Sequence, residues 1–158
     1  MKTFYKLSLL SFMFIFFMAC SDDDPTEGTN GGATLTAKVD GTGFTSLEAT
    51  VGAVVNSGVL AVQGSDSSGK YIRINISSYN GKGTYKAGDA LSNTNLMMYG
   101  TVTPIKAWAT TFNFGTGTVT ITEDTSTHIK GTFSFDGYEA GDKTTKKITE
   151  GTFNAPKK

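Results

Sequence analysis

The residue types that carry most enzyme chemistry are scarce in this chain. Cysteine, histidine, arginine and tryptophan each occur once among the 158 residues, as Cys20, His128, Arg73 and Trp108. A single histidine cannot build a histidine-based metal site, and a single cysteine forms neither an intrachain disulfide nor a thiolate cluster. There is no G-x-S-x-G nucleophile motif, and "GTGTVT" (115–120) has no lysine of a phosphate-binding loop. We therefore predict a protein that is not an enzyme and holds no metal.

Positive charge is also in short supply. Without residues 1–19, which have the pattern of a signal peptide, the remaining 139 residues carry 12 basic and 14 acidic side chains, a formal net charge of −2. A protein that binds nucleic acid needs a basic face to neutralise phosphates. Nucleic acid is therefore not an expected partner of this chain.

No hydrophobic run is long enough to span a bilayer. The longest, residues 7–18, follows a positive segment that contains Lys2 and Lys6. As a helix this run would be about 18 Å long, against a hydrocarbon core of about 30 Å. A short apolar run that follows lysines and precedes a small residue is typical of a secretory signal. We predict that residues 1–19 are a signal peptide.

The only cysteine ends this run, in the stretch "FMAC" (17–20). The stretch resembles a bacterial lipobox, with the small Ala19 before the cysteine, although Phe17 stands where leucine is commonest. The resemblance implies that Cys20 starts the mature chain and carries a covalent diacylglycerol, the only non-protein group that we expect. Two or more acyl chains make anchoring stable where one is marginal. The alternative is an ordinary secretory signal with an incidental cysteine.

Three aspartates, Asp22, Asp23 and Asp24, follow the cysteine, and residues 25–32 read "PTEGTNGG". An acidic cluster in this place resembles the surface-export signal of Bacteroidetes-type lipoproteins. The alternatives are a plain solvated tether, since runs of carboxylates stay hydrated, and a calcium site, whose usual ligand spacing is missing. We predict a tether over 20–32. The lipid anchor places the domain at the outer membrane, facing the cell exterior or alternatively the periplasm.

Strand patterns dominate the rest of the chain, which holds most of the 25 threonines and 19 glycines. Apolar and polar residues alternate in "TLTAKV" (34–39), "YIRINI" (71–76), "TVTIT" (118–122) and "HIKGTFSF" (128–135). Turn signals such as Asp40-Gly41 and Asn80-Gly81 separate these runs. About nine or ten strands predict a single all-β domain over 33–158. We expect an antiparallel β-sandwich, with a β-barrel-like fold as the alternative.

Two stretches that contain glycine indicate how apolar side chains pack in the core. "ITEGTF" (148–153) places Ile148 and Phe153 on opposite faces of a regular strand, so either the two face different sides or Gly151 lies in a bulge. "KGTFSF" (130–135) and "EGTFNA" (150–155) share Gly-Thr-Phe. We interpret the shared triplet as a common way of packing a phenylalanine beside a bend, rather than as an internal repeat.

The order of short motifs from residue 33 to 155 carries a resemblance. "VDG" (39–41) is followed by a phenylalanine, and then by "GVLAVQGSD" (58–66), "YIRINIS" (71–77), "GKGTYKAG" (81–88), "IKGTFSFDG" (129–137) and "ITEGTFNA" (148–155). This order resembles an uncharacterised family of Bacteroidetes-type lipoproteins, defined as a domain of unknown function. The resemblance implies a β-rich, membrane-tethered domain outside the cytoplasm, and it transfers no catalytic residue.

Aromatic residues are the candidates for ligand contact. Tyr79, Tyr99, Trp108 and Tyr138 could each stack on a sugar ring or a peptide, and Tyr138 lies in a polar segment, 136–147, predicted to be an exposed loop. For Trp108 we favour core packing, because tryptophan buries a large area. We predict a non-catalytic binding module whose partner, besides the membrane, is a glycan, a peptide or another surface protein.

Two other functions stay open. A structural or assembly subunit would pair exposed edge strands with the sheet of a neighbour. A pair of carboxylates could instead hydrolyse glycosides. The available carboxylates are Glu48, Asp66, Asp89, Glu123, Asp124, Asp136, Glu139, Asp142 and Glu150. Most of them lie at turns, where solvated charge is expected, and His128 is predicted to face solvent from a strand.

Overall fold

The computed structural model describes residues 32–158, which belong to one compact unit. Its strands are β1 (Thr34–Val39), β2 (Thr42–Thr45), β3 (Gly52–Asn56), β4 (Val59–Ser65), β5 (Tyr71–Ile76), β6 (Gly83–Ala87), β7 (Leu96–Val102), β8 (Ile105–Ala109), β9 (Thr116–Asp124), β10 (His128–Glu139) and β11 (Thr144–Pro156). A 3₁₀ turn, Glu48–Thr50, is the only helical element of this part. The predicted all-β antiparallel fold is confirmed, with eleven strands rather than nine or ten. Strands as short as β2 show too little alternation to be recognised in a sequence.

All eleven strands belong to one hydrogen-bonded sheet, which curls into a half-barrel. Its main order is β2-β1-β11-β10-β8-β7-β5-β4-β3, and β9 and β6 form a side branch. The branch starts from β10, whose 12 residues are long enough to pair with two strands end to end. Residues 129–136 of β10 pair with β9, and Tyr138 pairs with Ala109 of β8. β10 and β11 therefore form the centre of the sheet.

The alternation in the sequence places one face of each strand in a common core. Ile72, Ile74 and Ile76 of β5 are completely buried, and so are Leu60 and Val62 of the neighbouring β4. A curled sheet buries one face against itself, and burial of each such side chain contributes about 1.5–3 kcal/mol. The polar residues of the same strands form the outer face of the sheet.

The irregular stretch of β11 contains a bulge. Ile148 and Phe153 are both buried, although their spacing would separate them on a regular strand. Against β10 the register shifts by one residue between the pairs Phe133–Gly151 and Phe135–Ile148. Glu150 lies inside the shift and has a positive φ of 51°. The strand therefore contains a bulge, which lies at Glu150 beside Gly151 rather than at Gly151, and the extra residue returns both apolar side chains to the core.

The two Gly-Thr-Phe triplets lie opposite each other on β10 and β11. Gly131 pairs with Phe153, and Phe133 pairs with Gly151, so each glycine faces the phenylalanine of the other triplet. The rings of Phe133 and Phe153 lie 6.3 Å apart. The arrangement supports the packing interpretation, because each glycine leaves the space that a ring fills.

Candidate functional site

Three of the four aromatic residues proposed for ligand contact are buried. Tyr79, Tyr99 and Trp108 expose 9%, 6% and 7% of their surface. Tyr79 packs against Tyr85 with ring centroids 5.7 Å apart, and its hydroxyl donates to Asp124 Oδ2 at 2.8 Å. Burial, together with this carboxylate, raises the pKa of Tyr79. The structure places Tyr79 in the core rather than at a stacking surface.

Tyr99 and Trp108 form a buried pair across β7 and β8, with ring centroids 5.8 Å apart. The indole Nε1 of Trp108 donates to Thr144 Oγ1 at 2.9 Å, and Lys146 Nζ lies 5.6 Å from the ring centre. Burial is the main cause of the raised pKa of Tyr99. The preferred interpretation of Trp108 as a core residue is confirmed. Neither ring belongs to an exposed stacking surface.

Tyr138 is the one candidate that reaches the surface, and it has an unexpected partner. It lies on β10 rather than in a loop, because β10 and β11 pair as far as Glu139 and Thr144. The predicted 136–147 loop is therefore a turn of four residues, and Tyr138 is half-buried. Its ring stacks on Phe114, with centroids 5.3 Å apart and an interplanar angle of 21°. We call Phe112, Phe114 and Tyr138 the aromatic platform.

A tight turn presents the platform to solvent. Backbone hydrogen bonds join Thr111 and Phe114 in both directions, at 2.8 and 2.6 Å. The two central residues, Phe112 and Asn113, have positive φ values of 45° and 68°, the pattern of a type I′ turn. This conformation is unusual for a bulky residue and costs on the order of 1–3 kcal/mol. The turn leaves Phe112 and Phe114 56% and 58% exposed.

A polar groove lies on the outer face of β9, β10 and β11, and its lining ends at Asp136, two residues from Tyr138 of the platform. Tyr138, Asp136 and Ser134 follow at intervals of two residues on β10 and so share that face. The groove has two parts of about 390 Å³ and 610 Å³, which share Thr118 and Ser134. We call them together the outer groove. Its polar lining residues are Lys86, Asp89, Thr116, Thr118, Thr120, Thr132, Ser134, Asp136, Lys147, Thr149, Glu150 and Thr152.

The chemistry of the outer groove is that of hydroxyl groups and isolated charges. Seven of the lining side chains are threonine or serine, each able to donate and to accept a hydrogen bond. Lys86, Lys147 and Asp136 form no ion pair with any other residue of 32–158. Their charges are therefore available to a ligand. Of the nine carboxylates considered for glycoside hydrolysis, Asp89, Asp136 and Glu150 reach this groove.

His128 lies at the opposite end of β10 and is half-buried rather than facing solvent, because its ring pairs with Glu123. The ring Nδ1 is 3.1 Å from Thr125 Oγ1, so the Thr125 hydroxyl, the His128 imidazole and the Glu123 carboxylate form a hydrogen-bonded row. Thr125 Oγ1, however, accepts the backbone N–H groups of His128 and Thr127 at 3.0 and 3.3 Å. Hydrogen bonding from His128 is the main cause of the lowered pKa of Glu123. The trio stabilises the β9–β10 turn.

The predicted anchor lies in another part of the chain. Cys20 and the aspartates Asp22, Asp23 and Asp24 are outside the residues that the structure describes. Within 32–158, no helix has the length and apolar character needed to cross a membrane. The same residues contain no group of three or more histidine, cysteine, aspartate or glutamate side chains that could hold a metal ion.

Comparison with known proteins gives a family but no activity. The chain matches no curated protein and no solved structure. A family model described as a domain of unknown function, DUF6252, matches residues 32–155. The match includes every strand of the sheet except the last residue of β11. The chain therefore belongs to the DUF6252 family, a domain of unknown function.

Proposed function

We propose that this chain is a lipid-anchored, non-catalytic module that binds a glycan in the outer groove, at the outer surface of the cell. The observation that carries the proposal is an exposed aromatic stack on the same face of the sheet as a hydroxyl-lined groove, two residues along β10 from its lining. Aromatic faces take up the apolar face of a sugar ring, and interspersed donors and acceptors match its hydroxyls.

The dimensions of the groove favour an extended ligand. From Thr132 to Asp136 the lining residues of β10 span four intervals, which is about 13 Å at roughly 3.3 Å per residue, and Tyr138 lies two residues further along the same face. Within 32–158, Lys86 and Lys147 carry unpaired ammonium groups near the unpaired carboxylate of Asp136. Mixed charge of this kind favours a neutral or zwitterionic chain over a polyanion. A glycan chain of several sugar residues fits these features.

The anchor rests on the lipobox-like stretch that ends at Cys20. A tether of about twelve residues with linker composition would have a reach of about 20 Å, so the domain would lie close to the membrane but free of it. Asp22, Asp23 and Asp24 would direct it to the outer surface. The membrane, a surface glycan and other surface proteins are the partners that this location offers.

Binding is tested with variants of the platform. We expect Phe114→Ala to weaken binding to immobilised amylose, mannan or galactan about tenfold, since loss of a central aromatic contact costs about 1.4 kcal/mol. Ile105→Ala is the matched control, because Ile105 is 89% exposed and lies outside the groove. Equal binding by the two variants would contradict the proposal. Release of reducing ends from a bound glycan would instead support a hydrolase.

The anchor is tested separately. Cys20→Ser should abolish incorporation of radiolabelled palmitate and release the chain from the membrane fraction. Replacement of Asp22, Asp23 and Asp24 by asparagine should protect the domain from protease added to intact cells. A Cys20→Ser chain that stays with membranes would overturn lipid anchoring, and wild-type chain that resists the protease would place the domain on the periplasmic side.

A second candidate function, assembly through a sheet edge, has one observation in its favour. β3 is an edge strand, and its Val54 and Val55 are 46% and 41% exposed. No charged residue occurs between Glu48 and Asp66, although charges usually protect such edges. A bridge between Ala53 and Lys157, the residue that follows β11, leaves only Val54, Val55 and Asn56 of β3 open beyond it. Sedimentation velocity of wild type against Val55→Lys tests this candidate, which requires association that the lysine abolishes.

A further inference from the structure

A second concave site lies on the core side of β11, where the β1–β2 and β4–β5 turns meet. It has a volume of about 220 Å³ and is separate from the outer groove, with which it shares no lining residue. We call it the Tyr99 crevice. The lining residues that matter here are Asp40, Phe44, Asp66, Lys70, Tyr99 and Lys146.

The base of the crevice holds a polar group without a partner. Tyr99 is 94% buried, with its ring edge-on to Phe44 at 6.4 Å and stacked near Trp108 at 5.8 Å. Its hydroxyl makes no hydrogen bond to any other residue of 32–158, whereas the hydroxyls of Tyr79 and Tyr85 do. No fully buried side-chain nitrogen or oxygen of these residues lacks a hydrogen-bond partner, so the unpaired Tyr99 hydroxyl is accessible from the crevice that it lines and is free to bond to a ligand. Burial and the nearby carboxylate of Asp66 raise the pKa of Tyr99, which keeps the hydroxyl protonated as a donor.

One rim of the crevice offers a fixed acceptor and a free donor. Asp66 Oδ1 accepts three hydrogen bonds at 2.9 Å, from the backbone and hydroxyl of Ser68 and from the backbone of Lys70. These bonds hold the carboxylate in place and leave Oδ2 open. The ammonium of Lys70 forms no ion pair within the described residues.

The opposite rim is already neutralised. Lys146 Nζ binds Asp40 Oδ2 at 2.6 Å, and this bond is the main cause of the lowered pKa of Asp40. The four charges around the crevice, those of Asp40, Asp66, Lys70 and Lys146, therefore sum to zero. An ionic ligand gains little from such a lining, whereas a neutral ligand with several hydroxyls can use the donors and the acceptor together.

We propose that the Tyr99 crevice binds a single neutral sugar ring, with the Tyr99 hydroxyl and the Lys70 ammonium as donors and Asp66 Oδ2 as acceptor. The volume is below the roughly 300–1,000 Å³ of pockets for drug-sized ligands, which suits one ring and excludes a chain. Phe44 supplies an apolar wall. This site stands independently of the outer groove and takes a smaller ligand.

The chain carries its own reporter for this site. Trp108 is the only tryptophan and packs on Tyr99, so a ligand in the crevice should change its fluorescence. The probes are glucose, galactose, mannose and N-acetylglucosamine, with acetate and methylammonium as charged competitors, added to the purified full chain. We expect a saturable change with at least one sugar and none with either ion.

Two variants assign that change to the crevice. Tyr99→Phe keeps the ring and removes only the hydroxyl, and we expect sugar affinity to fall roughly fivefold or more. Lys70→Met should weaken binding to a similar extent, and since Lys70 is exposed, we expect this change to leave the stability of the chain almost unaltered. The matched control is Tyr71→Phe, because Tyr71 does not line the crevice and the one hydrogen bond of its hydroxyl within the described residues is to the Met98 sulfur, at 3.7 Å.

Several results would overturn the proposal. These are the absence of any sugar response, wild-type affinity in both Tyr99→Phe and Lys70→Met, and tighter binding of an ion than of every sugar. Phe114→Ala separates this site from the proposed function. This variant should leave the fluorescence response to monosaccharides unchanged. If the protein then fails to bind polysaccharides but keeps this response, the proposal for the outer groove is wrong and the proposal for the Tyr99 crevice stands.

Discussion

Gly151→Ala is the substitution that most directly tests how the centre of the sheet is packed. A Cβ at this position would lie 2.6 Å from three ring atoms of Phe133, where ordinary contact begins at 3.4 Å. The ring cannot easily retreat, because Phe135 and Phe153 lie beside it with centroids 6.4 and 6.3 Å away. The added methyl group must therefore push the ring or the backbone of β10.

The expected cost comes from two opposing effects. Overpacking in a filled core costs about 1–3 kcal/mol. Alanine also restricts the unfolded chain more than glycine does, which returns about 0.4–1 kcal/mol. We therefore expect Gly151→Ala to lower the free energy of unfolding by about 1–2 kcal/mol. In a domain of this size each kcal/mol lowers Tm by about 3–6 °C.

Urea denaturation followed by circular dichroism measures the effect, with Gly43→Ala as the matched control. A Cβ on Gly43, in β2, would meet no atom within 4 Å. Gly43→Ala should therefore change stability only through the reduced conformational freedom of the unfolded chain, which raises the free energy of unfolding slightly. Phe133→Leu in the Gly151→Ala background should restore part of the loss, because the smaller side chain relieves the contact. Equal stability of the two alanine variants would refute the packing argument for the Gly-Thr-Phe triplets.

Three further substitutions test other parts of the structure. Thr110→Val should cost about 1–3 kcal/mol in urea denaturation, because Thr110 is fully buried and its Oγ1 accepts the backbone N–H of Met97 at 2.9 Å; Thr110→Ser should cost less. The hydrogen bond from Lys157 is the main cause of the lowered pKa of Asp124. The Asp124 carboxylate therefore contributes its full stabilisation at pH values above its ordinary pKa of 3.8. It loses that contribution as the pH falls through its lowered pKa in the folded state. Asp124→Asn should therefore flatten the fall of Tm in acid. Phe112→Gly should raise Tm and weaken glycan binding, since glycine adopts the positive φ without strain.

Regular strands were predictable from the sequence because their pattern depends only on which face is buried. The alternating runs at 34–39 and 71–76 coincide with β1 and β5. The break in alternation between Ile148 and Phe153 left a bulge as one of two explanations, and the burial of both side chains decides for it. The polar ends of β10 and β11 were mistaken for a loop. Their pairing around Tyr138 is held by backbone hydrogen bonds, which leave no apolar pattern.

The aromatic platform could not be predicted, because it depends on a contact between residues distant in the chain. Alternation indicates the side of a strand on which Tyr99 or Trp108 lies, but not whether another strand covers that side. Phe114 meets Tyr138 only because β8 and β10 are neighbours. The one local signal was "FNFG" (112–115), in which an asparagine and a glycine beside two phenylalanines favour a tight turn.

The turn that carries Phe112 keeps an aromatic ring exposed at a cost in stability. A two-residue turn of this type is best served by Asn-Gly, yet here Phe112 occupies the first central position with a φ of 45°. Glycine at this position would relieve the backbone strain. Strained residues are kept where the surrounding structure holds them in place, and they cluster at binding sites. The ring gains no compensating burial, since 56% of Phe112 remains exposed. Under the proposed function, the strained turn keeps the Phe112 ring in solvent, where a bound glycan would contact it.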